Sequence, residues 1–457
     1  MKNKKRRIEL FSFYHHTGIE QHLAEMAKKG WLIEGISSYY WTYRKIEPEE
    51  IHFCVTYYPR ASDFDPELSE DQQTFHDFCA HTGWQLACSW HQMQVFYNEK
   101  ESPIPLETDP ITEVDTLHRA CKKNFLPSYY LLLALGLLMG GYFIARIYFD
   151  PIGLLSSSSS LISGLAYLCL FAISLVELVT YYTWHTKAKR AAQDGIFVDT
   201  PSTTGFQQFI LLVLLFGMVY WFTNLLAADD PLLLWVAIFM FVYIFGVIFI
   251  VNGIKYGLKK LKASRGLNKA VTLAACFILP TIMTSLSVYV GISAAQNNWT
   301  HKDPFDDSLI PLSITDFRDV DKDKYIEQNR NNQTFLVGQR AVHIFGDWNE
   351  DGFHELPDLK YTVTTVKADF IYDWCKEQMF WDMDESKDTD LPVGHRMVLK
   401  EQDPAPWEAK EVYQLYHEEG WYLNWYLLCY EDKIIDILFD WEPTPEDMAI
   451  VNQKLNS

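Results

Sequence analysis

The sequence predicts an α+β protein: a duplicated βαββ domain, a membrane domain of about five transmembrane helices and an α+β domain beyond it. Three patterns predict this. Five apolar runs of about 20 residues lie between positions 129 and 293, a strand-helix-strand-strand order occurs twice before them, and an acidic, strand-rich segment follows them. The domains expected are 1–101, a linker and juxtamembrane helix at 102–128, a membrane domain at 129–293 and an extracytoplasmic domain at 294–457.

Met1 to Arg7 is basic and leads into Ile8-Glu9-Leu10-Phe11-Ser12 rather than an apolar h-region, so no cleavable signal is expected and the N-terminus is expected to stay in the cytoplasm. In the first half, Ile8 to Phe13 reads as a strand. Ile19, Leu23, Met26 and Ala27 recur at helical spacing, Gly30 stops that helix, and Trp31 to Ile36 and Tyr39 to Tyr43 supply two strands. The order recurs from Ile51: strand Phe53 to Tyr57, an acidic insertion around Asp63 to Asp71, helix Gln72 to His81, then strands Trp84 to Cys88 and Met93 to Tyr97. Gly30-Trp31 and Gly83-Trp84 mark equivalent positions, a glycine suited to the left-handed residue after a helix and a Trp that packs back across helix and sheet. One unit alone would leave open sheet edges and too small a core, so the two are expected to form one sandwich. His15, His16, His22, His76, His81 and His91 are scattered over helix, loop and strand without metal-ligand spacing. Ser102-Pro103-Ile104-Pro105 begins a stiff linker, and Ile111 to Lys123 reads as a juxtamembrane helix.

The helix ending Ala-Lys-Lys-Gly-Trp (27–31), the strand Tyr-Trp-Thr-Tyr-Arg-Lys (40–45), the second Gly-Trp (83–84) and Gln-Val-Phe (94–96) give residues 7–110 a resemblance to a bacterial family, domain of unknown function 2812. Members of that family often continue into transmembrane helices and are often encoded beside PadR-type regulators. The resemblance implies a regulatory or sensory setting and supplies no catalytic residues.

The apolar runs are Tyr129 to Phe149, Leu161 to Thr183, Phe206 to Ala227, Leu232 to Gly253 and Val271 to Ser293; in lipid such runs must be helical to satisfy their backbone. Lys and Arg cluster at 119–123, 187–190 and 255–269, while the connections 150–160 and 228–231 carry neither, so five crossings place the C-terminal domain outside a bacterial cytoplasmic membrane. Glu177 is an intramembrane carboxylate, with a proton or partner role and a helix-to-helix hydrogen bond or snorkelling as alternatives. Gly136 and Gly140 have the spacing of close helix packing, compatible with a helix-mediated oligomer, and Pro280 is expected to kink the fifth helix.

Of the net charge of −20, residues 1–124 carry −5, residues 125–296 carry +4 and residues 297–457 carry −19. That acidity argues against nucleic acid as a partner and favours cations or basic surfaces. Asp347, Asn349, Asp351, the Phe353 carbonyl, Glu355 and Asp358 fit the first part of a Ca2+ loop, with Asp358 where a bidentate Glu is usual; an ordinary acidic turn is the alternative. Beyond it, strands are expected at Ala341 to Phe345, Tyr361 to Val366, Glu411 to His417, Leu427 to Tyr430 and Lys433 to Phe439, with helices at Ala368 to Phe380 and after the Thr444 cap. Cys375 and Cys429 are the two outer thiols and a possible disulfide pair. No nucleophile-base pair, phosphate loop or paired catalytic carboxylates is visible, so an enzyme is not expected. The reading is a bacterial membrane protein for sensing, regulation or scaffolding that links the outer domain to a cytoplasmic ligand- or protein-binding module, in contact with lipid and a cytoplasmic protein partner. An accessory subunit of a transporter or envelope system is the alternative.

Overall fold

The computed structural model describes residues 3–37, 39–227, 231–299, 310–346, 356–387 and 394–456. The chain forms two compact units, residues 1–140 with 165–288, and residues 141–164 with 289–457.

The first unit begins with two βαββ halves. In one, β1 (Lys4–Arg7), α1 (His16–Lys28), β2 (Trp31–Ile36) and β3 (Trp41–Lys45) form an antiparallel sheet in the order β1-β3-β2. In the other, β4 (His52–Tyr57), α2 (Glu70–His81), β5 (Gln85–Trp90) and β6 (Met93–Asn98) repeat that order as β4-β6-β5. Gly30 and Gly83 end the two helices at φ +80 and +93, a conformation that a Cβ would strain. The expected strand at Ile8 to Phe13 is displaced: β1 is the basic run before it, and residues 8–15 are irregular. Phe13, Tyr14 and Ser12 are buried there against other elements, and a strand would have turned alternate residues to solvent. α3 (Pro110–Lys123) follows, capped by Asp109, whose carboxylate accepts the Ile111 and Thr112 amides.

Long helices come next: α4 (Phe125–Phe149), α6 (Ser158–Gln193), α7 (Thr204–Ala227), α8 (Pro231–Lys260) and α9 (Arg265–Trp299), with the short α5 (Pro151–Leu155) between the first two. Among the described residues, five helices are long and apolar enough to cross a membrane, and together they make a multi-pass membrane protein. Phe216, Phe249 and Phe277 point outward, the inverse of a water-soluble bundle. The glycine pair packs α4 on α6: a Cβ at Gly136 would lie 2.7 Å from the Phe171 backbone nitrogen. α9 runs through Pro280.

In the second unit seven antiparallel strands pair in the order β10-β11-β12-β13-β9-β8-β7. They are β7 (Tyr325–Gln333), β8 (Val337–Gly346), β9 (Leu359–Val366), β10 (Met397–Gln402), β11 (Glu411–His417), β12 (Trp421–Cys429) and β13 (Lys433–Phe439). The two-residue period sends Leu428, Tyr430, Ile435 and Ile437 to one face, packed with Val451 and Leu455 of the C-terminal segment after α11 (Pro445–Val451) begins. Leu427, Cys429 and Ile434 go to the other, covered by α10 (Tyr372–Met383) and by Ile152, Leu154 and Leu155 of α5. Cys375 and Cys429 are free thiols buried in this second cluster rather than a disulfide.

Candidate functional site

The irregular stretch 8–15, between β1 and α1, lies against the long helices. It carries Ser12 to Glu177 on α6. Glu177 is 1% exposed, and its carboxylate accepts from Ser12 Oγ at 2.8 Å, from Gln207 Nε2 at 2.8 Å and from Thr203 Oγ1. A buried carboxyl group met by several hydrogen-bond donors is satisfied, where one without partners would cost several kcal/mol. Beside it Thr17 Oγ1 and Thr200 Oγ1 are 2.7 Å apart, and Thr204 Oγ1 donates to the Leu10 carbonyl at 3.1 Å. Tyr14 packs among Phe125, Tyr181 and Trp184, so module and helices share one core. The predicted residue Glu177 is therefore a fastening between the two. Its partners Ser12, Thr203 and Gln207 carry no sequence signal, being common polar residues up to 165 positions away.

A second fastening is ionic. The acidic insertion lies on the basic turn between α8 and α9: Lys255 Nζ is 2.5 Å from Asp63, Lys262 Nζ 2.5 Å from Glu67 and Arg265 Nε 3.5 Å from Asp65. Arg265 also donates to the Arg60 carbonyl at 3.3 Å and Asn268 to that of Phe64 at 3.4 Å.

The module, the linker, α3 and the connection between α6 and α7 enclose a cavity of about 740 Å³. His16 and Glu20 line it from α1, Cys54 from β4, Glu107 and Glu113 from the linker and α3, and Phe197, Val198 and Asp199 from the connection between α6 and α7. Helical spacing puts His16 and Glu20 one turn apart on the same side of α1. Glu20 accepts the Val55 amide at 2.7 Å, His16 Nε2 is 2.9 Å from Glu113, and Thr56 donates to Glu107. Burial, with the charges of Glu107 and Glu113 adding to it, pushes the Glu20 carboxyl up to about 7. Burial and Glu113 likewise raise Glu107. Burial opposes a charged His16, but the hydrogen bond to Glu113 and the surrounding carboxylates outweigh it and hold the imidazole above its ordinary value. The Cys54 thiol is pushed well up by burial and by the same carboxylates. The pocket thus concentrates negative charge in a place where burial opposes it. Among the described residues no group of three or more His, Cys, Asp and Glu side chains is arranged to hold a metal ion. Two of the other histidines have separate partners: His22 sits 3.2 Å from Glu9, and His76 3.0 Å from Gln94.

Of the predicted Ca2+ loop, Asp347, Asn349, Asp351, Phe353 and Glu355 lie outside the described residues. Asp358 precedes β9 and lies 3.9 Å from His343 Nε2; burial raises its carboxyl, opposed by His343 and the Gly346 amide.

Residues 16–129 match a family described as a protein of unknown function, DUF2812. The match covers the module, α3 and the start of α4, including the residues of α1 and α3 that line the cavity. No curated protein matches the chain, and no solved structure does.

Proposed function

We propose that the protein is a membrane-embedded regulatory protein whose N-terminal module binds a small organic cation and passes its occupancy to the transmembrane helices. The observation that carries this reading is the shared wall of the acidic cavity: His16 and Glu20 come from the module, Glu107 and Glu113 from the linker and α3 that follow it, and Phe197 to Asp199 from the connection joining α6 to α7. A ligand filling it touches all three, so its binding energy acts directly on the junction that Glu177 fastens. Carboxylates whose burial costs stability are kept where function needs them. A protonated amine would relieve that cost by pairing with them.

The reading is one of binding rather than catalysis, because the Cys54 thiol is pushed away from the reactive thiolate form. A cytoplasmic module and an extracytoplasmic sheet domain are supported by the basic clusters at 187–190 and 255–265, which lie at the same helix ends as the module. The exposed face of α2, with Phe78 outward, is the surface this reading gives to a protein partner.

The test is thermal unfolding of the full chain in detergent against a panel of mono-, di- and polyamines. A ligand at 100 times its Kd adds about 2.7 kcal/mol of stability, and the increment should vanish in a Glu20→Gln, Glu107→Gln double variant. Absence of stabilisation by every amine at millimolar concentration, or stabilisation that persists in the double variant, overturns the reading.

A further inference from the structure

In the second unit the helix α10 is fixed close to the end of the first span. The last residues of α4, Tyr148 and Phe149, are exposed, and Asp150 follows as the first residue outside it. Gln378 of α10 reaches that point: its Oε1 accepts the Ile152 amide at 2.9 Å and its Nε2 lies 3.3 Å from Asp150 Oδ1. On the neighbouring strand turn, Thr334 Oγ1 donates to the Leu155 carbonyl at 2.5 Å. Hydrocarbon surrounds a span of this kind, so these contacts hold α10 and the turn after β7 at the level where hydrocarbon gives way to headgroups.

The side chains next to these contacts are aromatic and outward. Phe335 is 63% exposed, Phe370 83% and Trp381 71%. Trp374, Gln378 and Trp381 succeed one another at helical spacing, with Phe370 one turn before them. The stripe is bordered on one side by Ile371, buried with Ile152 and Leu154, and on the other by the exposed Asp373 and Glu377. Lys367, exposed between Phe335 and Phe370, donates to the Thr334 carbonyl at 2.7 Å. Three large aromatic side chains exposed to this extent beside the end of an apolar span form a patch of the kind that marks a membrane or partner contact. At a bilayer surface the same order, apolar anchor, aromatic stripe, then carboxylates toward water, is that of a helix lying in the interface.

We infer that the aromatic patch formed by Phe370, Trp381 and Phe335, with Trp374 half-buried behind it, lies in the headgroup region of the adjacent leaflet. It seats the seven-stranded domain on phospholipid, with Lys367 placed to meet a lipid phosphate. This goes beyond the proposed function, which concerns the other unit.

The experiment is nitroxide labelling of the full chain, with Cys276→Ser removing the exposed native thiol. Single cysteines are introduced as Phe370→Cys, Trp381→Cys and, at the far end of the sheet, Asp440→Cys, and the chain is reconstituted in vesicles of zwitterionic and anionic phospholipid. The expected ratio of oxygen to water-soluble nickel-chelate collisions is about tenfold higher at 370 and 381 than at 440, as partition into the interface requires. Equal ratios at the three sites place the stripe in water, and low collision with both reagents at 370 and 381 places it under a second copy or another protein. Either result overturns the inference. All three positions are exposed, and a photoreactive phenylalanine analogue at 370 gives an independent readout: phospholipid adducts support the inference, while protein adducts alone refute it.

Discussion

In the first half of the N-terminal module α1 turns Ile19, Leu23, Met26 and Ala27 into the core shared with the transmembrane helices, whereas in the second half α2 buries Gln72 and Cys79 and leaves Phe78 62% exposed. The halves share strand order and the left-handed glycine after the helix, but not their attachment. The first is held by buried hydrogen bonds around Glu177 and by the apolar face of its helix; the second joins the same core only through its strands, at Phe53, Val55 and Val95, and adds side-chain ion pairs from its acidic insertion at the helix ends. Two halves of the same strand order thus sit in different environments. One became part of the membrane domain's packing and the other kept a free helical face.

The contrast can be broken by mutation. Leu23→Ala removes a fully buried side chain and is expected to cost about 2–5 kcal/mol. Phe78→Ser on the free face should stay within about 0.5 kcal/mol. Denaturant unfolding of the full chain in detergent compares them, and equal losses would erase the distinction.

The next largest effect is pH-dependent. The folded carboxyl of Glu20 is raised from 4.5 to about 7. For a raised acid, stability is fully present below the unfolded value and is lost as pH rises through the folded one. Glu107 and His16 are raised as well and act in the same direction. Stability should therefore fall between about pH 4.5 and 7, with Glu20 contributing on the order of 2–3 kcal/mol. Glu20→Gln should melt higher than the parent at pH 8 and no higher at pH 4. A profile unchanged by the substitution would show that the cavity carboxylates are not under this strain.

Glu177→Gln replaces an acceptor oxygen with a donor in a site already full of donors, at a cost of about 1–3 kcal/mol. Because the site is buried, the loss should be the same at low and high salt. The ion pairs should behave oppositely. Asp63→Lys should cost about 0–1 kcal/mol at low salt and nothing at high salt, and Lys255→Asp in the same chain should restore it. Amide exchange of residues 60–71 against 8–17 across ionic strength would sharpen the comparison, with only the first segment loosening.

Much of this was legible from residue pattern. Run length announced the spans, and Thr444 announced the last helix, where its side chain accepts the Asp447 amide; the caps Ser69 and Asp109 emerged only from the structure. Strands that alternate between two apolar faces, such as Lys433–Phe439, fell where the period put them. β7 did not show itself, because Glu-Gln-Asn-Arg-Asn-Asn-Gln (327–333) is polar on both faces and takes its strand form from pairing with β8. The cavity was hidden for another reason: His16, Cys54, Glu107 and Phe197 are brought together by tertiary packing, and no local spacing encodes it.

The short helix Pro151–Leu155 bears on how the protein is made. Ile152, Leu154 and Leu155 are core residues of a domain whose remaining chain is synthesised much later; the amide of Ile152 waits for a side chain 226 positions downstream. At about 5–20 residues per second that delay is about 10–45 s. During it the first helical hairpin stands in the bilayer with an apolar cap that has nothing to cover it. A fragment comprising the C-terminal domain alone lacks the plug that closes its own core.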